Sequence, residues 1–135
     1  MPRPIRCILL IDDDPDDNYL HQLIIEETGL CETVRVAENG QLGLAYLTDT
    51  DHPDYIRPDI ILLDINMPGM NGFEFLEHYR QIDPSLQSRV VLLMLTTSLF
   101  PADTTRASQF NEVKGYLSKP LTKAMLQAIV NQHFS

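Results

Sequence analysis

The stretch Ile60-Ile61-Leu62-Leu63-Asp64-Ile65-Asn66-Met67-Pro68 decides the fold. Apolar residues from Ile60 stop abruptly at one carboxylate, and Pro68-Gly69-Met70-Asn71-Gly72 then reads as a turn. A short apolar run bounded by turn signals is a candidate buried strand. Such a strand carries Asp64 to its carboxyl end, where ligands of open α/β sheets bind. A buried carboxylate without a partner is costly, so Asp64 either meets a cation or lies exposed at the strand tip. Taken alone, it reads as an ordinary loop cap.

On the N-terminal side, Ile5 to Ile11 is a first strand candidate that stops at Asp12-Asp13-Asp14-Pro15-Asp16-Asp17. Asp14 suits a helix N-cap and Pro15 its first turn, while Asp16 and Asp17 complement the positive end of the helix dipole. That helix runs to about Glu27, with Leu20, Leu23 and Ile24 at helical spacing, and Gly29 ends it. Thr33 to Ala37 alternates as a second strand, Asn39-Gly40 turns the chain, and Leu42 to Leu47 fits a second helix. Thr48 to Pro58 reads as an extended surface loop leading into the third strand, Asp59 to Leu63.

On the C-terminal side, Phe73, Phe75, Leu76 and Tyr79 mark a third helix that closes near Asp83-Pro84. Arg89 to Leu95 is a fourth, strongly apolar strand ending at Thr96-Thr97-Ser98. Pro101 begins a polar fourth helix through Phe110. Val113 to Leu117 is a short fifth strand closed by Ser118-Lys119-Pro120, and Leu121 to Phe134 is a last amphipathic helix.

Strands alternating with helices predict an α/β fold: a parallel sheet covered on both faces. Right-handed crossovers leave few topologies, and strand order 2-1-3-4-5 is the usual doubly wound solution at this size, the flavodoxin-like arrangement with five helices. In that order Asp12 and Asp13, Asp64, Thr96 and Lys119 arrive around one crevice.

The bulk numbers fit one domain over residues 1–135. Hydrophobic residues make up 44%, enough for one packed core. A net charge of −9 disfavours binding to a phosphate backbone, so direct nucleic-acid binding is not expected. Cys7 and Cys31 are too few for a disulfide framework and predict reduced structural thiols in a cytoplasmic protein. No apolar run approaches membrane-spanning length. His21, His52, His78 and His133 lack metal-like spacing and are expected on surfaces or loops.

Three carboxylates in one cleft repel one another, and at least one would have its pKa raised. A hard divalent cation removes the conflict. Mg²⁺ takes oxygen ligands, keeps some waters and suits two carboxylates plus one backbone carbonyl as the protein share. Asp64 can then act as a nucleophile toward phosphorus. The metal and Lys119 would neutralise charge on the transferring phosphoryl oxygens, and the Thr96 hydroxyl would hydrogen-bond another. No GxxxxGK[ST] stretch is present, and the loop after the first strand is acidic rather than glycine-rich, so the donor is expected to be another protein or a small acyl phosphate.

The chain resembles the receiver domains of two-component response regulators, of the stand-alone, chemotaxis-regulator type. The matching residues are Leu10-Ile11-Asp12-Asp13-Asp14-Pro15, Leu62 to Gly72, Leu95-Thr96-Thr97 and Tyr116-Leu117-Ser118-Lys119-Pro120. The resemblance implies that Asp64 is the phosphoacceptor, served by a partner histidine kinase or phosphotransfer protein. It implies that Asp13 binds Mg²⁺ directly, that Asp12 acts largely through a bound water, and that the backbone carbonyl of Asn66 completes the ligands with Asp64. It makes Thr96 the switch hydroxyl, Lys119 the phosphate partner and Tyr116 the aromatic rotamer switch, and it implies a cis Lys119–Pro120 bond. Phosphorylation would then reshape the face made by the fourth helix, fifth strand and fifth helix, where Phe100, Pro101, Phe110 and Tyr116 supply apolar material for an unidentified downstream protein. With no effector segment after Phe134-Ser135, output is expected through protein contact, and an open sheet edge could support a homodimer. Asn71 stands where the family more often has Asp, and Thr97 is bulkier than the usual small residue.

Other readings have weaker support. Asp12, Asp14 and Asp16 mimic the opening of a calcium loop, but Asp17 replaces its glycine and Leu23 its closing glutamate. Asp14, Asp16 and Asp17 are therefore read as a helix start rather than as ligands. A phosphatase using an aspartyl-phosphate intermediate would want a carboxylate two residues after the nucleophile, where Asn66 stands. A flavin phosphate would be repelled by the acidic first loop. A phosphorylation-independent scaffold would have no use for intact Asp12, Asp13, Asp64, Thr96 and Lys119.

Overall fold

The computed structural model describes residues 3–97 and 100–134. Its elements are β1 (Ile5–Ile11), α1 (Pro15–Thr28), β2 (Cys31–Ala37), α2 (Gly40–Thr48), β3 (Ile60–Leu63), α3 (Gly72–Tyr79), a 3₁₀ turn (Pro84–Leu86), β4 (Val91–Thr96), α4 (Pro101–Ser108), β5 (Val113–Ser118) and α5 (Lys123–His133). All strand pairs are parallel, in the order β2-β1-β3-β4-β5. The expected topology therefore holds. Ser98, placed by the sequence in the turn after β4, lies outside the described residues.

The sheet separates two apolar layers, and strand alternation decides which residues enter each. Leu9, Ile11, Ile61, Leu63, Leu92 and Met94 face Phe73, Phe75, Leu76 and Tyr79 of α3. Ile8, Leu10, Ile60, Leu62, Leu93 and Leu95 face Ile25 of α1 and Leu126 and Ile129 of α5. Every residue of β3 and β4 is buried, as expected of central parallel strands. Truncating a fully buried residue such as Ile61 to alanine would cost about 2–5 kcal/mol.

Helix starts follow the local signals. The Asp14 side chain accepts the N–H groups of Asp16 and Asp17, and Gly29 closes α1 at φ 66°. Asn71 and Glu74 form a reciprocal capping box at α3. Gly72 leaves no room for a side chain, since a Cβ there would lie 2.6 Å from the Asp64 carbonyl oxygen and 2.9 Å from the Ile65 Cα.

Two sequence expectations are corrected. In α1 the buried residues are Asn18, His21 and Ile25, whereas Leu20 and Leu23 are exposed and Tyr19 is 71% exposed. His21 is thus a core residue, not a surface one, and burial together with the Lys119 charge lowers its pKa. The inward stripe of α1 is instead Asn18, His21 and Ile25, two of them polar, which an apolar pattern does not mark. Phe110 is also buried, its ring stacked on Phe73 at 6.5 Å, so it does not contribute to the outer face. Phe100, by contrast, is 63% exposed.

In β5, Val113 and Tyr116 pack against the same layer although strict alternation would put them on opposite faces. The register shift between β4 and β5 explains this: Leu92 pairs with Val113 but Met94 with Tyr116, so β5 carries one extra residue.

Candidate functional site

The sheet ladder brings the site residues together at the carboxyl ends of the strands. The Asp64 N–H donates to the Ile11 carbonyl at 3.0 Å, which sets Asp64 beside Asp12. The Asp12 N–H donates to Ala37 at 3.1 Å, and the Lys119 N–H donates to Thr96 at 2.8 Å. Each side chain therefore leaves the sheet one step past an ordered strand. The Lys119–Pro120 bond is cis, as the sequence reading expected.

Asp12, Asp13 and Asp64 each offer a carboxylate oxygen, all within 4.8 Å of one another. Asp12 and Asp64 are buried and Asp13 is half-exposed. Lys119 is the ammonium among them, 2.6 Å from Asp12 Oδ2 and 3.7 Å from Asp64 Oδ1. Asp12 Oδ1 also accepts the Asp14 N–H at 3.0 Å, so both Asp12 oxygens are engaged. Burial raises the Asp64 pKa to about 6, and the Asp12 charge adds to the rise while Lys119 and the Asn66 N–H oppose it. Burial works against the Lys119 charge, yet hydrogen bonds to Asp12 and Asp17 and the nearby Asp64 hold its pKa above the ordinary range. At neutral pH Asp64 is largely ionised and Lys119 is an ammonium.

A donor set of hard, ionised oxygens suits Mg²⁺, Mn²⁺ or Ca²⁺ rather than a soft or nitrogen-seeking metal. Asp12, Asp13 and Asp64 together could hold such a cation.

Thr96 is fully buried at the end of β4. Tyr116 is half-buried, and its hydroxyl donates to the Thr104 carbonyl of α4 at 3.2 Å. Asn66 is exposed, and its backbone N–H acts to lower the Asp64 pKa against the effect of burial. The structure thus unites Asp12, Asp13, Asp64 and Lys119, and leaves Tyr116 half-buried with its hydroxyl on α4.

Sequence reasoning missed two neighbours. Asp17, read as a helix-start residue only, also pairs with Lys119 at 2.9 Å. Asn18 is buried and donates to the Asp12 carbonyl at 2.9 Å. Its Oδ1 has no partner among the described residues. The available signal was the spacing Asn18, His21, Ile25, which marks the inward face of α1.

The response regulator receiver domain family matches residues 8–131, and the chain belongs to that family. Among similar proteins is PilH of Pseudomonas aeruginosa, 28% identical over 124 residues that cover 92% of this chain and 93% of PilH. The response regulator Rcp1 of Synechocystis is 32% identical over 117 residues, 86% of this chain and 78% of Rcp1. Its Mn²⁺-bound crystal structure aligns at TM-score 0.75, with 28% identity over 93% of this chain and 92% of that one. A two-component response regulator from Cytophaga hutchinsonii aligns at TM-score 0.84, with 34% identity over 95% of this chain and 96% of the other. Receiver domains serve two-component signalling, and no helix among the described residues is long and apolar enough to cross a membrane.

Proposed function

We propose that this receiver captures a phosphoryl group on Asp64 from the phosphohistidine of a sensor kinase or phosphotransfer protein. The observation that carries the reading is the convergence of Asp64 with Asp12, Asp13 and Lys119 at one end of the sheet. An Asp64 carboxylate oxygen attacks phosphorus, a P–O bond forms, the P–N bond to the donor imidazole breaks, and that imidazole leaves with its electron pair. With a pKa of about 6, Asp64 is mostly ionised at pH 7 and competent as the nucleophile. Lys119 neutralises charge on the phosphoryl oxygens, and the Thr96 hydroxyl donates to another. Asp13 and Asp64, with the Asn66 carbonyl, would hold Mg²⁺, and Asp12 would orient its water. The bound cation supplies positive charge against the transferring oxygens. The Mn²⁺ carried by the Rcp1 crystal form supports a divalent cation here.

Output would follow from a two-state change. As Thr96 turns toward the phosphoryl group, Tyr116 leaves the Thr104 carbonyl and moves inward, altering the α4–β5–α5 face for a downstream protein. Asn66 at the position where a general acid would stand argues against a phosphatase.

Intact mass after incubation with acetyl phosphate, with and without Mg²⁺, tests the chemistry beside Asp64→Asn. One phosphoryl group gained by the native protein only with the metal, and not by the variant, is the expected result. A gain that persists in Asp64→Asn would overturn the assignment.

A further inference from the structure

The resting position of Lys119 is lopsided. Its ammonium lies 2.6 Å from Asp12 and 2.9 Å from Asp17 but 3.7 Å from Asp64. Asp12 and Asp64 arrive at the cleft from adjacent strand ends, whereas Asp17 reaches it from the first turn of α1. Asp16, one residue earlier, is exposed and makes no ion pair among the described residues. Asp17 is also not the helix cap, since that place belongs to Asp14. The side-chain cap of the helix therefore does not depend on Asp17, and its ion pair is with the one ammonium that the phosphoryl group would need.

We infer that Asp17 is a positioning residue that holds Lys119 toward α1 and away from Asp64, so that an incoming phosphoryl group must win the ammonium from it. The inference rests on the phosphoryl-acceptor reading above. Asp12 and Asp17 take two of the three N–H donors of Lys119 at short range and leave the ammonium 3.7 Å from Asp64, so a phosphoryl oxygen on Asp64 has to draw it across against the pull of Asp17. The side chain of Lys119 is 8% exposed, so the exchange takes place where water screens it poorly. Asp17 therefore lowers the share of Lys119 available to the phosphorylated state, and its negative charge reinforces that bias. The same charge adds to the field that attracts a divalent cation. Replacing Asp17 by asparagine keeps its size and removes the competition. It should tighten binding of a phosphoryl group while slightly weakening Mg²⁺ binding. A variant that merely loosened the site would weaken both.

Beryllofluoride, which mimics a phosphoryl group on a carboxylate, supplies the readout. Its affinity and that of Mg²⁺ alone are measured for the native protein, Asp17→Asn, Asp17→Glu, Lys119→Met and the Asp17→Asn/Lys119→Met double variant. The expected result is about three- to tenfold tighter beryllofluoride binding by Asp17→Asn, with Mg²⁺ binding unchanged or weaker. Asp17→Glu should return toward the native affinity, and most of the gain should vanish in the Lys119→Met background. Equal or weaker beryllofluoride binding by Asp17→Asn would overturn the role given to Asp17. So would an undiminished gain in the Lys119→Met background, since the effect would then not pass through Lys119. Failure of the native protein to bind beryllofluoride with Mg²⁺ would instead refute the phosphoryl-acceptor reading itself.

Discussion

Two aspartates bracket β3, one at each end, and both are buried: Asp59 is 1% exposed and Asp64 6%. Their surroundings differ completely. Asp59 accepts the Arg6 N–H at 2.8 Å and the Arg89 guanidinium at 2.6 Å, one oxygen for each. Asp64 faces two other carboxylates, and its ammonium stands off at 3.7 Å. A satisfied buried carboxylate ties β1, β3 and the start of β4 together. An under-compensated one stores electrostatic stress that a cation can relieve. Burial alone does not distinguish structure from chemistry, whereas the balance of partners does.

The largest contrast should appear in phosphoryl capture. Asp64→Asn should abolish it, while Asp59→Asn should leave it within about twofold wherever the protein is folded, because Asp59 lies at the opposite end of the strand. Mass spectrometry after acetyl phosphate treatment reads both variants. Equal loss in the two would dissolve the distinction.

Stability should move in opposite directions. Asp59→Ala leaves the Arg6 N–H and the Arg89 guanidinium without their acceptor and should cost about 2–4 kcal/mol in urea unfolding. Asp64→Asn removes a strained charge and should stabilise the metal-free protein by about 2 kcal/mol at pH 7. The sign follows from the raised folded pKa. The native state holds the Asp64 proton more tightly than the unfolded chain, so the penalty is absent below about pH 4 and grows as pH rises toward 6. The advantage of Asp64→Asn should therefore disappear below about pH 4 and shrink in saturating Mg²⁺. A pH-independent advantage would place its origin elsewhere.

A smaller effect sharpens the contrast between site and output. Tyr116→Phe deletes only the hydroxyl that meets the Thr104 carbonyl, and should cost about 0.5–1 kcal/mol. Amide exchange in α4 should quicken, with Mg²⁺ affinity unchanged. Changed metal binding would show that Tyr116 supports the cleft directly.

Topology and most of the cleft were legible because strands buried on both faces read as unbroken apolar runs, and each ends on a polar residue that has no place in a core. Asp12 and Asp64, which follow β1 and β3, were found that way, whereas Lys119 follows the only partly buried β5 and was read from the Ser118-Lys119-Pro120 that closes it. The inner face of α1 was not, because Asn18 and His21 are polar residues buried for the sake of the cleft, while Tyr19, Leu20 and Leu23 lie outside. A hydrophobic pattern therefore points the helix the wrong way. Asp17 was half legible: its position in the first helical turn explained it well enough to hide its contact with Lys119. The extra residue in β5 left no mark that alternation could detect, and it decides which face Tyr116 occupies.

Gly72 imposes a constraint of a different kind. It is tightly closed in by the backbone of residues 64 and 65, whereas Gly29 has φ 66° but open space around it. In a saturation library selected for folding, position 29 should return asparagine along with glycine, because only the backbone angle is at issue there. Position 72 should return glycine alone. Even the single methyl group of alanine would have to push aside the peptide that carries Asp64, so the address of that carboxylate is written partly in a residue with no side chain.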